Sequence, residues 1–267
     1  MLKLMFITNN PQIAKNAVKA GVNRIFVDIE RNGKFERQRN KDAYISDHTL
    51  KDVPAIREII PDADLMVRVN PMYENSKMEI ERCIEMGVDV IMLPMFKSAE
   101  EVRNFISIIN GRAKTCLLLE TPQALTRIDS ILKISGIDEI HVGLNDLHLG
   151  MGLDFMFEIL SGGLLDYMAE KVRSRDITFG FGGVAKLGQG IIPAEQIIGE
   201  HYRIGSKMAI LSRSFREDAE DYDIIHNEIN KIRAFEIEVQ GWTMNEIQKN
   251  RERICQSIDN YLLTMKK

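Results

Sequence analysis

Lys114-Thr115-Cys116-Leu117-Leu118-Leu119-Glu120-Thr121-Pro122 is an apolar run that stops on an acid and is followed at once by a helix-start signal. The run is nearly continuous in apolar residues rather than alternating, the pattern of a strand covered on both faces of a parallel sheet. Proline after Thr121 sits where the first turn of a helix has no use for an N–H. The same sentence is written again in Glu139–Asn145, where Gly143-Leu144-Asn145-Asp146-Leu147 closes the apolar stretch. Glu120 and Asp146 lie 26 residues apart, about one strand–helix unit, so in a parallel α/β barrel both carboxylates reach one rim.

Working outward, eight such runs are spread along the chain: Leu2–Thr8, Arg24–Glu30, Asp64–Asn70, Val88–Pro94, Lys114–Glu120, Glu139–Asn145, Ile177–Val184 and Tyr202–Gly205. Stretches of helical period separate them. Asn10-Pro11 and Ile192-Pro193 mark further helix starts, and Ser76…Glu79 and Ser98…Glu101 have capping-box spacing. Eight strands with intervening helices predict an α/β fold of the (β/α)8 TIM-barrel type. An open doubly wound sheet is the alternative, and no GxGxxG follows the first strand to support a dinucleotide site.

The chain has 267 residues, the usual size of one such barrel, with 45% hydrophobic and 28% charged residues. A net charge of −4 favours neither nucleic acid nor an anionic membrane as partner. No apolar run reaches the roughly 18 residues of a membrane span, and Met1–Thr8 reads as a strand rather than a signal peptide. Cys83, Cys116 and Cys255 lack CxxC spacing, which fits a reducing, cytoplasmic setting.

Residues 1–240 are expected to form the catalytic barrel. Residues 241–267 are expected to add a helix, capped by Thr243…Glu246, with apolar positions Met244, Ile247, Ile254, Ile258, Leu262 and Met265. That stripe must cover its own barrel or a second subunit, and a homo-oligomer contact is the expectation. The long polar segment Arg31–Thr49, basic over Lys34–Lys41, follows the second strand and could carry binding residues or be simply solvated.

In a barrel of this kind chemistry sits where strands end. Those ends supply Asp28 and Glu30, Arg68 and Asn70, Glu120, Asn145 and Asp146, Gly182 and Gly183, and Ser206 and Lys207. Two acids at one mouth suggest a divalent cation, and an arginine among them suits a substrate with a carboxylate beside a carbonyl. Each residue has a plainer reading as well. Glu120 could serve a helix dipole, Asp146 could cap a helix, and Arg68 could be a structural ion pair with Glu30 or Glu120. His48 could reach over the mouth as acid or base, or lie at a helix entry on the surface. His141 reads as an interior strand residue and His148 as a weaker ligand candidate. The glycines of Phe179–Gly183 could cradle a phosphate, helped by Lys186 or Lys207, or allow close packing at the rim.

In order, Ile25–Glu30 (IFVDIE), Val67–Asn70 (VRVN), Val90–Pro94 (VIMLP), Ser98–Val102, Leu118–Pro122 (LLETP) and Val142–Leu147 (VGLNDL) resemble the HpcH/HpaI aldolase and citrate lyase family of the phosphoenolpyruvate/pyruvate barrel superfamily, over about residues 1 to 215. The resemblance implies Mg2+ or Mn2+ held by Glu120 and Asp146, a keto-acid contact from Arg68, and a substrate carboxylate held by backbone groups of Gly143, Leu144 and Asn145. It implies a metal-dependent carbon–carbon lyase of class II aldolase type, acting on pyruvate or a related 2-oxo acid and an aldehyde. A citrate-lyase-like enzyme using phosphoenolpyruvate or an acyl thioester, and a non-catalytic metabolite-binding barrel, are the alternatives. The chain departs from the pattern after the second strand. Arg31 stands where the aldolase branch has a histidine, leaving His48 or metal-bound water as candidates for proton transfer, and Glu30 as a candidate for a direct role through water on the metal. Asn9-Asn10-Pro11 replaces the arginine-rich segment of acyl-CoA-using members.

Overall fold

The computed structural model describes residues 1–32 and 47–265, so the basic segment Lys34–Lys41 lies outside the described residues. Eight parallel strands pair in chain order and close on themselves: β1 (Lys3–Ile7), β2 (Arg24–Asp28), β3 (Asp64–Arg68), β4 (Val90–Leu93), β5 (Lys114–Leu119), β6 (Glu139–Val142), β7 (Thr178–Val184) and β8 (Met208–Leu211). The (β/α)8 barrel expected from the sequence is formed.

Burial explains why the strands read as continuous apolar runs. Inward residues fill the barrel with Met5, Phe26, Met66, Val90, Met92, Cys116, Leu118 and Met208. Outward neighbours such as Ile25, Val27, Leu117 and Leu119 pack beneath the helices. Both faces leave water, so the period of two disappears. At the N-terminal end of the barrel the fully buried Arg24 bonds Glu139 at 2.6 and 2.9 Å and Asp64 at 3.0 Å. An unpaired guanidinium there would be strongly unfavourable, and these acids satisfy it.

The eighth strand is not where the apolar run Tyr202–Gly205 placed it. Those residues end the helix Ala194–Ile204, whose cap is Gly205 in the left-handed region at φ 73°. The strand is the next run, Met208-Ala209-Ile210-Leu211. A short apolar run bounded by glycine fits a helix terminus as well as a strand, and here the glycine is the helix stop. In consequence Ser206 and Lys207 precede β8 and lie at the N-terminal end of the barrel, away from the mouth.

Ser98 and Glu101 form the expected capping box. Ser76 and Glu79 do not. Ser76 Oγ accepts from the Tyr73 N–H at 2.8 Å, and the Glu79 carboxylate bonds the backbone and side-chain amides of Asn70, each at 2.8 Å. A capping spacing was present, but tertiary partners took both side chains.

The C-terminal helix Met244–Met265 opens on Thr243, whose N–H and hydroxyl bond Glu246 at 2.7 and 2.8 Å. Its middle lies on its own barrel. Ile254 and Ile258 are fully buried, Asn250 donates to the Gln196 carbonyl at 3.0 Å and Arg251 to that of Leu160 at 2.7 Å. Gly199 makes this approach possible, since a Cβ there would lie 2.5 Å from Asn250 Nδ2. Met244, Leu263 and Met265 remain exposed.

Candidate functional site

The mouth of the barrel holds a cavity of about 210 Å³. Glu120 and Asp146 both line it, as do Arg68, His141, Gly143, Leu144, Asn145, Gly182 and Gly183. Its walls are apolar, from Ile7, Phe26, Leu118, Met156, Phe157 and Ile210.

Glu120 follows the last residue of β5 and is buried. It does not cap the helix after it. Thr121 does that, accepting from the Ala124 N–H at 3.1 Å while its hydroxyl donates to the Phe96 carbonyl at 2.7 Å. The Glu120 carboxylate instead receives the N–H of Met95 at 3.1 Å. Met95 has φ 54°, a left-handed conformation that an ordinary residue holds only at an energetic cost of about 1–3 kcal/mol. The other Glu120 oxygen lies over Gly143, where a Cβ would come within 2.7 Å of it. The glycine thus lets the carboxylate and the β6 turn approach.

Gly143 is also the N-cap of the helix Leu144–Met151, and Asp146 stands in that helix's first turn. Asn145 and Asp146 therefore lie on the helix rather than on the strand, which ends at Val142. Burial, and then the negative charge of Asp146, push the Glu120 carboxyl well above the usual carboxylate range, with Arg68 pulling the other way. A carboxyl held protonated by burial beside a second carboxylate in an apolar-walled pocket makes a site that a cation would relieve. The donors are hard oxygens, which suits Mg2+ or Mn2+. Among the described residues no group of three or more His, Cys, Asp and Glu side chains is arranged to hold a metal. Two protein carboxylates with remaining positions left to substrate and water is the usual Mg2+ arrangement.

Arg68 ends β3. Its Nε and Nη2 bond the two oxygens of Asp28 at 2.8 Å each, and Nε lies 3.4 Å from Glu30 Oε2. Its guanidinium carbon lies 5.7 Å from the Phe26 ring centre. Burial alone would lower its pKa, but Asp28 and Glu30 overcome this and hold it well above the usual value. Nη1 takes no hydrogen-bond partner among the described residues, and the side chain reaches the cavity.

Asp28 and Glu30 are both buried behind Arg68 and are not among the cavity-lining residues. His48 is likewise buried and off the cavity wall. Its Nδ1 accepts the Asp28 backbone N–H at 3.0 Å, and burial lowers its pKa. Nδ1 is then unprotonated and the ring's proton sits on Nε2. His141 does line the cavity. Its Nε2 bonds the Gly182 carbonyl at 3.1 Å, and burial lowers its pKa to about 4. His148 is buried, with Nδ1 near the Leu144 carbonyl at 3.3 Å.

The glycines of β7 serve close packing: a Cβ on Gly180 would lie 2.3 Å from Met208 Cγ and 2.9 Å from His141 Nδ1. Lys186, one candidate partner for a phosphate, is bonded to Asp218 at 2.6 Å. The other, Lys207, is at the opposite end of the barrel. Sequence reasoning passed over Met95 and Glu79. A positive φ at methionine leaves no sequence signal, and Glu79 was read as a cap.

The sequence profile described as HpcH/HpaI aldolase/citrate lyase matches residues 3–156. Among solved structures, an HpcH/HpaI aldolase from Desulfitobacterium hafniense superposes with TM-score 0.63 at 16% identity, covering 87% of this chain and 93% of that one. An HpcH/HpaI aldolase/citrate lyase family protein from Burkholderia cenocepacia gives TM-score 0.64 at 11% identity, covering 87% and 95%. The citrate synthase SbnG gives 0.60 at 15%, covering 86% and 91%. At these identities the structures speak for the fold alone. A pyruvate kinase from Methylorubrum extorquens is 35% identical over 86 residues, 32% of this chain, and the match spans only 18% of that protein.

Proposed function

The chain belongs to the HpcH/HpaI aldolase/citrate lyase family, and on that premise we propose that it is a carbon–carbon lyase, a divalent-metal-dependent aldolase acting on pyruvate or a related 2-oxo acid and an aldehyde. The observation that carries this reading is the pairing of Glu120 and Asp146 on one cavity, with the Asp146 charge opposing ionisation of Glu120, beside Arg68. Local likeness to a protein named pyruvate kinase supports a pyruvate-like acid.

Glu120 and Asp146 would hold Mg2+ or Mn2+. The ion, when bound, would supply Lewis-acid polarisation of the oxo acid's carbonyl and neutralise charge developing on it. Arg68 is mounted on Asp28 with Nη1 left over, so a fixed donor faces the oxygen that becomes negative as the methyl proton leaves. The start of the helix Leu144–Met151 brings the Gly143, Leu144 and Asn145 backbone to the cavity; the Gly143 N–H is taken by the Leu119 carbonyl at 3.0 Å, and the N–H groups of Leu144 and Asn145 would suit a carboxylate. Glu30, buried off the cavity wall and sharing the guanidinium with Asp28, would hold the charge and orientation of Arg68. His48 serves the Asp28 N–H and in this reading orients rather than titrates. The apolar walls at Met156, Phe157 and Ile210 suit the carbon chain of a small aldehyde and exclude water from the carbanion.

Chelation with EDTA followed by Mg2+ or Mn2+ addition tests the reading. Activity on an oxo-acid and aldehyde panel should vanish and return; full turnover in the presence of chelator would refute it.

A further inference from the structure

Asp28 is the seat of Arg68, and its own backbone has an unusual partner. On one edge β2 continues into β3, with the Ile29 N–H on the Arg68 carbonyl at 3.1 Å. On the other edge the pairing with β1 runs out: the register ends at Ile7 opposite Phe26, and Thr8 makes the last bond to the Phe26 carbonyl. The Asp28 N–H is thus a buried donor that no strand satisfies, and leaving one unpaired is costly. His48 Nδ1 takes it, at 3.0 Å.

His48 is held there by Arg31. The Arg31 Nη2 donates to the Asp47 carbonyl at 3.1 Å and to the His48 carbonyl at 3.4 Å. The Arg31 backbone is itself fixed, because its N–H and that of Asn32 bond Asn70 Oδ1 at 2.9 and 3.0 Å. Asn70 is gripped in turn by the buried Glu79 carboxylate, which also receives the Tyr73 hydroxyl at 3.0 Å. One continuous path therefore runs Glu79, Asn70, Arg31, His48, Asp28, Arg68. Arginine has the reach and the donors to hold two successive carbonyls from a position on the other side of the segment; a histidine side chain in its place would be shorter and offer fewer.

We propose that Arg31 is a positioning residue, which staples the chain at Asp47 and His48, seats the His48 imidazole on the Asp28 N–H and thereby fixes the carboxylate that carries Arg68. The kinetic consequence rests on the oxo-acid reading given above. The structural link does not.

Two readouts on Arg31→Ala and Arg31→Lys separate these. In nitrogen-15 spectra of the imidazoles, His48 Nδ1 in the wild type should appear as an unprotonated, hydrogen-bonded nitrogen. Arg31→Ala should move that resonance, while Arg31→Lys, which keeps a charged donor at shorter reach, should move it less. With pyruvate and saturating Mn2+, Arg31→Ala should lower kcat about tenfold and leave KM within about twofold. An unmoved His48 resonance overturns the proposal whatever kcat does, since a kinetic effect alone would mean that Arg31 acts on the substrate directly. A moved resonance in a protein with no oxo-acid turnover upholds the staple and refutes the substrate reading. Should Arg31→Ala fail to fold, the Arg31→Lys resonance decides: a shift supports the staple and an unchanged signal rejects it.

Discussion

Arg68 grips Asp28 through two parallel hydrogen bonds, Nε to Oδ1 and Nη2 to Oδ2, each 2.8 Å long. The fork fixes the plane of the guanidinium and therefore the direction of the nitrogen left for a ligand. A lysine keeps the charge but not the plane. Arg68→Lys is expected to lower kcat/KM for the oxo acid by about 100-fold, or about 2.7 kcal/mol. Arg68→Ala would also leave Asp28 buried without its partner and lower stability by about 3–5 kcal/mol. Steady-state kinetics and urea denaturation measure the two effects.

Glu120 is the acid least content to be ionised. With its folded pKa raised by burial and by Asp146, the folded metal-free protein retains a proton that the unfolded chain releases. Stability from this group therefore falls as pH rises through the ordinary glutamate value of about 4.5. Glu120→Gln removes the charge and retains an acceptor for the Met95 N–H. The metal-free variant should melt higher than wild type, by about 2–4 °C for each kcal/mol recovered, and Mg2+ or Mn2+ should no longer raise its melting temperature. Calorimetric scans with and without the ion check both halves.

The sequence carried the barrel and its rim with few errors, because a strand buried on both faces and a proline-marked helix start are local patterns. LLETP and VGLNDL led to two acids that the fold does bring to one cavity. Errors came where the deciding contact is distant in sequence. Tyr202–Gly205 looked like a strand because nothing local shows that Gly205 stops a helix, with only Ser206 and Lys207 between it and β8. Ser76…Glu79 had the spacing of a cap, yet Glu79 belongs to Asn70 and Tyr73. Asp28 as the anchor of Arg68, and His48 as the partner of an N–H beyond the end of β1, depend on strand register, which composition and spacing do not encode.

Gly143 tests how tightly the two metal candidates are set. A methyl group there would lie 2.7 Å from Glu120 Oε2 and 2.9 Å from Glu120 Cβ, so either the carboxylate or the β6 turn must shift. Gly143→Ala is expected to keep its fold and weaken Mn2+ binding by at least about tenfold, read by titration calorimetry. Metal affinity equal to wild type would mean that Glu120 is not positioned through this contact.

Acid should destabilise the protein through buried histidines. Burial lowers the pKa of His48, and that of His141 to about 4. The unfolded chain then binds protons that the folded one refuses, so stability is lost as pH falls from about 6.5 towards 4. For His141 the effect is on the order of 3 kcal/mol. In the Glu120→Gln background, which lacks the opposing contribution of that acid, denaturation midpoints between pH 7 and 4 should fall steadily, and His48→Gln should flatten the upper part of that slope.

Proton–deuterium exchange at the methyl group of pyruvate, followed by proton NMR in D2O with and without Mn2+, tests the central claim most directly because it needs no aldehyde. The account predicts exchange that requires the ion, is lost in Glu120→Gln and Asp146→Asn, and is reduced in Glu30→Gln with metal binding intact. Exchange that persists at full rate without metal, or in either metal-site variant, would contradict it.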